Sequence, residues 1–404
     1  MNEKELIYTL PTGDPVYRYQ EAVVVMFGGK RKVLSTGGGN GGYTEHLQSV
    51  FNHQSSYGYC TNPEDAPVTY EEYITDFVNN RLGLSLATTT GMATIVSMEN
   101  ICIEEASYKD LSVTAIVTAS LEVNGGRVCD PAQYYEEKGK ENMVRAGTIN
   151  IMLHINANMT PGCMTRAVVT LTEAKSAAIA ELLGSSLYSH GIATGSGSDS
   201  VIITADADSD FELTYAGKHG KLGEMIGITV KTAVKTALGK HMGLTPESQH
   251  SIEKNGLTQE KYWEAIQTEN QIESLEASQI EKSLEAIQTE NQVKSLKSSP
   301  KDDITLPIQV SEKKFKDKLN LLDQDGLMVS CTSLYIHLMD QLDWGLLDPE
   351  ETEEPAAMLL SRMAEHAGVR FHWRPLAKCG RPEAMEELAT RFREFMILAG
   401  ASEA

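Results

Sequence analysis

The chain reads as an α+β protein: a largely antiparallel or mixed β-sheet layered with helices, then a low-complexity helical linker and a small, mostly helical C-terminal unit. Three observations predict this. Between residues 20 and 240 strand-like runs come in clusters joined by hairpin signals, with few helices between them; this favours a substantially antiparallel sheet over a doubly wound parallel one. From Glu247 to Ser299 the composition shifts to Glu, Gln, Ser and Lys. Beyond residue 304, apolar residues recur at helical spacing. These features divide the chain into a main domain over 1–245, a linker over 246–303 and a C-terminal domain over 304–404.

Taken in order, Pro11-Thr-Gly-Asp-Pro15 signals a turn. Glu21–Phe27 is a buried strand, and Lys32–Leu34 continues a sheet after the Gly28–Gly29 turn. Ser35–Tyr43 then carries glycine at positions 37, 38, 39, 41 and 42, so its backbone can bend sharply or approach a ligand closely. Gly37-x-Gly39-x-x-Gly42 matches a dinucleotide fingerprint, but the short segment Tyr43–Phe51 leads into a polar loop, Asn52–Asp65, and no βαβ unit follows. Tyr70–Leu82 has helical spacing. Gly83–Ala93 begins strand-like and ends in a small-residue loop. Asn100–Ala106 and Leu111–Val123 flank a hairpin signal at Ser107–Asp110. Asn124-Gly-Gly-Arg127 is a turn, and Asp130-Pro131 opens a polar loop running to Arg145.

Ile149–Ile155 is an apolar run, Asn158–Gly162 a turn, and Met164–Leu183 an alanine-rich helix. A Gly/Ser/Thr loop ending at Asp199 precedes the strand Val201–Thr204. Asp206–Asp210 is a polar turn, Phe211–Tyr215 a short strand and Lys221–Gly239 an amphipathic helix. In the linker, Glu264-Ala-Ile-Gln-Thr-Glu-Asn-Gln271 recurs as Glu285-Ala-Ile-Gln-Thr-Glu-Asn-Gln292, an offset of 21 residues or three heptads. That register fits a helical or weakly coiled-coil spacer, and a solvated spacer produced by duplication fits it equally. Ser333–Leu342, Glu354–His366 and Pro382–Ala399 predict the C-terminal helices.

A net charge of −21 argues against nucleic acid, which needs clustered Lys and Arg. The six cysteines form no CxxC pair, and no window approaches eighteen consecutive apolar residues. The N-terminus lacks the basic region and apolar core of a signal peptide. The expectation is a cytoplasmic protein with reduced thiols and no membrane partner. HExxH and HxH are also absent, so no metal site is expected.

Chemistry concentrates between Gly147 and Asp199, where hydroxyls, a carboxylate and a lysine fall close together. Glu173 and Lys175 are charges inside an otherwise apolar helical stretch. Lying two positions apart they point to different faces, so each needs its own partner or a cleft. Glu173 is a candidate general acid or base, with a plain salt bridge as the alternative. Asp199 has the same two readings, with capping as the bland one. Thr194-Gly-Ser-Gly-Ser198 is one residue short of a nucleophile elbow; Thr194, Ser196 and Ser198 are candidate hydroxyls in a loop that equally satisfies its own backbone. His219, at a helix entrance, is either a titrating group or a cap.

Six segments occur in an order that resembles the adenosylcobinamide amidohydrolases: Asn40-Gly41-Gly42, Val117-Thr-Ala119, Gly147-Thr-Ile-Asn150, Thr172-Glu-Ala-Lys175, Ala193-Thr-Gly-Ser-Gly-Ser-Asp199 and Tyr215-Ala-Gly-Lys-His-Gly-Lys-Leu-Gly-Glu224. The resemblance covers residues 20–240 and leaves the linker and the C-terminal unit unassigned. It implies cleavage of the amide joining the aminopropanol arm to the corrin ring, giving adenosylcobyric acid and 1-aminopropan-2-ol for salvage into coenzyme B12. The corrinoid is then the substrate, and no cofactor is expected. Ser196 and Ser198 stand where threonine is expected, which keeps the hydroxyls; Ser120 replaces glycine, and Gly220 replaces threonine.

An amide-fringed corrinoid calls for neutral donors and acceptors and close backbone approach. Asn40, Gly41, Gly42, Thr148, Asn150, Thr194 and Ser198 are the expected binding residues. Water activation falls to Glu173 or Asp199, and proton delivery to Lys175 or His219. Oxyanion donation falls to the backbone of Gly195–Gly197 or to the Asn40 amide. A covalent route through Thr194, Ser196 or Ser198 is the mechanistic alternative. A non-catalytic corrinoid- or nucleotide-binding protein is the alternative function, ahead of a dinucleotide-dependent oxidoreductase. A protein partner or self-association is expected through the linker and the C-terminal unit.

Overall fold

The computed structural model describes residues 4–19, 21–55, 70–132, 148–189, 191–251, 311–377 and 380–402. The linker repeat, most of the 130–145 loop and Gly147 lie outside the described residues. The chain divides into two units, Met1–Gln249 and His250–Ala404.

In the first unit the strands are β1 (Glu5–Thr9), β2 (Pro15–Arg18), β3 (Ala22–Met26), β4 (Arg31–Ser35), β5 (Gly42–Thr44), β6 (Ser49–Gln54), β7 (Thr89–Thr94), β8 (Cys102–Tyr108), β9 (Leu111–Ala119), β10 (Ile149–Ile155) and β11 (Ser200–Asp206). The helices are α1 (Tyr70–Asp76), α2 (Pro161–Glu181), α3 (Lys221–Met242) and the short α4 (Pro246–Gln249). Of the two large sheets, one has the order β1-β2-β3-β6-β7 and the other β5-β4-β11-β10-β9-β8, and two short two-stranded pairs, Gly125–Gly126 with Gly195–Ser196 and Asn158–Met159 with Glu212–Leu213, stand outside them. Neighbours in the large sheets are antiparallel except at β6/β7 and β10/β11, so the sheets are mixed and the fold is α+β. The parallel pair β10/β11 exists because α2 carries the chain back between them, as a parallel connection requires.

Every residue of β10 is buried. Ile149, Ile151, Leu153 and Ile155 pack under α2 and α3 with Val113, Ala115 and Val117 of β9. The alternate residue Met152 meets Val23, Val25 and Val50 of the five-stranded sheet, with Ile116 and Ile202 beside it. A strand covered on both faces shows no polar alternation, which is why this segment reads as a plain apolar run. The far face of the five-stranded sheet packs Phe51 against Phe77 and Val78. The layers therefore run helices, six-stranded sheet, five-stranded sheet, short helical cover.

Several expectations shift. Lys32–Leu34 does continue a sheet, but not the one that holds β3. Gly28–Gly29 passes the chain between the two, held by Gly28 N–H on Asp14 Oδ1 (2.7 Å) and Lys30 N–H on Asp208 Oδ2 (2.7 Å). In Gly83–Ala93 the order inverts: a 3-10 turn at Leu86–Thr88 comes first and β7 follows, because Gly91 must lie against the Phe51 ring, where a Cβ would sit 2.2 Å from Cζ. Pro161 opens α2 rather than ending a turn. Its missing N–H costs nothing at the first helical position, and the Thr160 hydroxyl accepts from Cys163 N (3.2 Å). The helix expected over Tyr70–Leu82 is α-helical to Asp76 and widens into a π-helical turn at Phe77–Arg81.

The second unit is built of α5 (Glu312–Asp323), α6 (Gly326–Asp343), α7 (Pro349–Ala367) and α8 (Arg381–Ala401) around Phe315, Tyr335, Leu360, Leu388 and Phe395. The Tyr335 hydroxyl donates to the Leu388 carbonyl (2.9 Å). The sequence reading missed α5: only Phe315, Leu319 and Leu322 are buried in a strongly charged stretch, too few to stand out as a stripe.

Candidate active site

The end of the six-stranded sheet where β4 finishes and β10 and β11 begin gathers most of the residues singled out above. Thr36 ties the glycine loop to β11: its N–H donates to the Val201 carbonyl (3.0 Å) and its hydroxyl accepts from Val201 N (2.9 Å). Thr90 of β7 donates to the Gly39 carbonyl (2.6 Å). Asn40 takes φ 53° and gives its amide N–H groups to the carbonyls of Leu86 and Thr89. A Cβ on Gly37 would lie 2.5 Å from the Gly91 carbonyl, and one on Gly41 2.4 Å from the Gly37 carbonyl. Gly37 and Gly41 thus serve the folding of the loop on itself and on β7. Gly42 has φ 81° and opens strand β5. No helix follows the glycines, so the dinucleotide fingerprint lacks the structural context it needs.

Thr148 and Asn150 are buried struts. The Thr148 hydroxyl faces the Ser198 carbonyl (2.6 Å) and Asn150 Oδ1 (3.1 Å). Asn150 Nδ2 donates to Asn52 Oδ1 (2.7 Å) and the Ala93 carbonyl (3.0 Å), and Asn52 Nδ2 to Thr118 Oγ1 (2.9 Å). This chain of side chains joins the two sheets, and its partners are satisfied as buried polar groups require. Next to Asn52 is His53, whose Nδ1 bonds the Met92 carbonyl (3.0 Å); burial holds its imidazole down to about 4, so it is neutral at pH 7.

Asp199 is the centre. Its Oδ1 accepts from Ile149 N (3.0 Å), Ser196 N (3.1 Å) and Ser196 Oγ (2.7 Å), and its Oδ2 from the Lys175 ammonium. Both charged side chains are well buried, at 11% and 16% exposure, so neither is easily replaced by water. Lys175 reaches Asp199 from the inner face of α2, while Ser176 Oγ donates to the Thr194 carbonyl (3.0 Å). The loop is closed by a short antiparallel pair, Gly125–Gly126 with Gly195–Ser196. Thr194 Oγ1 accepts from Val128 N (2.9 Å), Gly197 N donates to the Asn124 carbonyl (3.1 Å), and Asn124 Nδ2 donates to Ser198 Oγ (3.1 Å).

Glu173 and His219 are placed elsewhere. Glu173 is half-exposed and pairs with Lys218 (3.1 Å), beside the exposed His219. That segment is anchored by the Thr170 hydroxyl on the Ala216 carbonyl (2.7 Å). Three of the donors expected for an oxyanion are engaged: Ser196 N on Asp199, Gly197 N on Asn124 and the Asn40 amide on the 86–89 turn. Asn52 and Asn124 were missed. Each has its partner 66 or 74 positions away, a distance at which sequence carries no local signal.

Among the described residues, no group of three or more His, Cys, Asp or Glu side chains is placed to hold a metal, and no helix is long and apolar enough to cross a membrane.

Residues 7–246 match the family model described as adenosylcobinamide amidohydrolase. The chain is 32% identical over 238 residues to an uncharacterized protein of Methanocaldococcus jannaschii, covering 56% of this chain and 89% of that one. It is 28% identical over 180 residues to the adenosylcobinamide amidohydrolase of Methanosarcina mazei, covering 43% of this chain and 76% of that protein. A solved structure from Pyrococcus horikoshii aligns over 58% of this chain and 82% of its own, with 10% identity and a TM-score of 0.27. With its entire first unit but a few terminal residues inside the family match, the chain belongs to the adenosylcobinamide amidohydrolase family.

Proposed function

We propose that this protein hydrolyses the amide joining the aminopropanol arm to adenosylcobinamide, releasing adenosylcobyric acid and 1-aminopropan-2-ol, and that the reaction runs at the Lys175–Asp199–Ser196 cluster. The observation that carries the reading is Asp199. It is a carboxylate fixed by two backbone N–H groups and a buried ammonium, beside a serine hydroxyl, in a chain whose family is named for this cleavage.

Amide hydrolysis needs an oxygen nucleophile relieved of its proton, a donor for the oxyanion, and a proton for the departing nitrogen. Asp199 accepts the proton of the attacking oxygen and returns it to the leaving amine. Lys175 commits one N–H to Asp199 and keeps donors for the carbonyl oxygen as charge builds on it. The exposed glycines 38 and 39 of the loop leave backbone open for the amide-fringed corrin edge.

Mass spectrometry of adenosylcobinamide incubated with the purified protein tests this. Adenosylcobyric acid and free aminopropanol are expected; substrate that co-elutes unchanged would instead mark a corrinoid carrier.

A further inference from the structure

The hydroxyls at the site are not equivalent. Thr194 Oγ1 receives a backbone N–H, Thr148 faces a backbone carbonyl and Asn150, and Ser198 Oγ receives the Asn124 amide. Of these side chains, among the described residues, Ser196 is the one whose hydroxyl donates to a carboxylate, at 2.7 Å from Asp199 Oδ1. On Asp199, Oδ1 already takes three donors, one of them the Ser196 hydroxyl, and Oδ2 is held by the Lys175 ammonium. The proton Asp199 is placed to take is the one on Ser196 Oγ. Glu173, the other carboxylate named for water activation, is tied to Lys218 on the exposed side of α2.

We infer that Ser196 is a covalent nucleophile and that its acyl-enzyme accepts primary amines as well as water, making the protein an amine-exchange catalyst in addition to a hydrolase. The inference rests on the hydrolytic reading above and adds a second substrate class, small primary amino alcohols. In the first half-reaction the Ser196 Oγ–C bond forms while the Oγ proton passes to Asp199. The C–N bond then breaks, and the departing nitrogen takes that proton and leaves as the free amine. In the second half the oxygen of water, or the nitrogen of an amine, bonds to the same carbon and gives its proton to Asp199. The C–Oγ bond breaks and Ser196 recovers the proton; nothing is oxidised or reduced. The position vacated by aminopropanol is where an incoming amine enters, because the amine-driven second half retraces the first.

The full-length protein is incubated with adenosylcobinamide and excess 15N-labelled 1-aminopropan-2-ol, and the unreacted substrate is analysed by mass spectrometry before hydrolysis is complete. Label is expected in the residual adenosylcobinamide. Acid-quenched protein is expected to carry an adenosylcobyric acyl group on the peptide containing Ser196. Ser196→Ala should lose hydrolysis and exchange together, by about a thousandfold or more, with an unchanged melting curve. Hydrolysis by the wild-type protein without label in the substrate overturns the inference and leaves the hydrolytic reading intact, as does full turnover by Ser196→Ala. Neither product nor exchange from the wild-type protein sinks both.

Discussion

A Cβ built on Gly195 would lie 2.2 Å from Asp199 Oδ2 and 2.4 Å from Lys175 Nζ. Both atoms end flexible side chains, so an added methyl displaces the ion pair and not the backbone. Gly195→Ala should therefore keep the fold, with a stability change of about 1 kcal/mol or less, while turnover falls by about a hundredfold. Paired melting curves and kcat measurements check this, and an equal loss in both would show that the glycine serves the fold instead. Two histidines set the acid limit. His53 and His154 are held neutral by burial, at about 4 in the folded state against 6.5 for the free side chain; Asp14 partly opposes the shift at His154. Between those values the unfolded chain binds more protons, so stability is full above pH 6.5 and declines as the pH falls toward 4. The loss is on the order of 3 kcal/mol per histidine. Urea unfolding at pH 7, 5.5 and 4 should show that slope, and His53→Phe should flatten it. Asp199, Lys175 and Ser196 were legible because charges and hydroxyls stood out in small-residue runs. That Thr148 and Asn150 would be struts was not, since their partners Asn52 and Ser198 come from other elements.

Helix α2 sorts the two charges the sequence left open. Lys175 points inward to Asp199 and Glu173 outward to Lys218, as residues two apart on a helix must. The outward pair is 45% and 60% exposed, a setting in which ion pairs contribute about 0–1 kcal/mol. Glu173→Gln is accordingly expected to shift stability by less than about 1 kcal/mol and to leave turnover within about threefold; a hundredfold loss of kcat would return the base role to Glu173. The existence of most strands and of α2 and α3 was readable from periodicity and turn residues. Sheet membership was not: β3 and β4 are separated by a four-residue Phe27–Lys30 link yet lie in different sheets. The choice is made by Asp14 and Asp208, which bind the link from distant parts of the chain.

At the scale of the whole molecule, each unit has apolar core of its own, around Ile151 and Leu153 and around Met152 in the first and around Phe315, Tyr335 and Leu360 in the second. The site draws every described member from the first unit, which also holds the whole of the family match. Truncation after Gln249 should give a folded protein whose kcat/KM is within about threefold of the full chain; loss of turnover in a folded truncation would assign the second unit a part in catalysis. The composition shift after Glu247 is a local signal and marks the expected linker, whereas the stacking of two sheets depends on long-range register that no local pattern encodes.

The outer position of β8 in the six-stranded sheet has a further consequence. An outermost strand offers unpaired backbone to any neighbour, and here it displays Glu104 and Glu105, with Lys109 at the following turn. Consecutive on the strand, the two carboxylates stand on opposite faces of the sheet, and each repels its counterpart on a second copy that pairs in the same register. The acid conditions that charge the buried histidines loosen the sheets that hold this edge in place, so its open backbone meets other copies just as the fold weakens. A solution of this protein taken through acid is therefore exposed to fibrous aggregation on the way down and again on the way back.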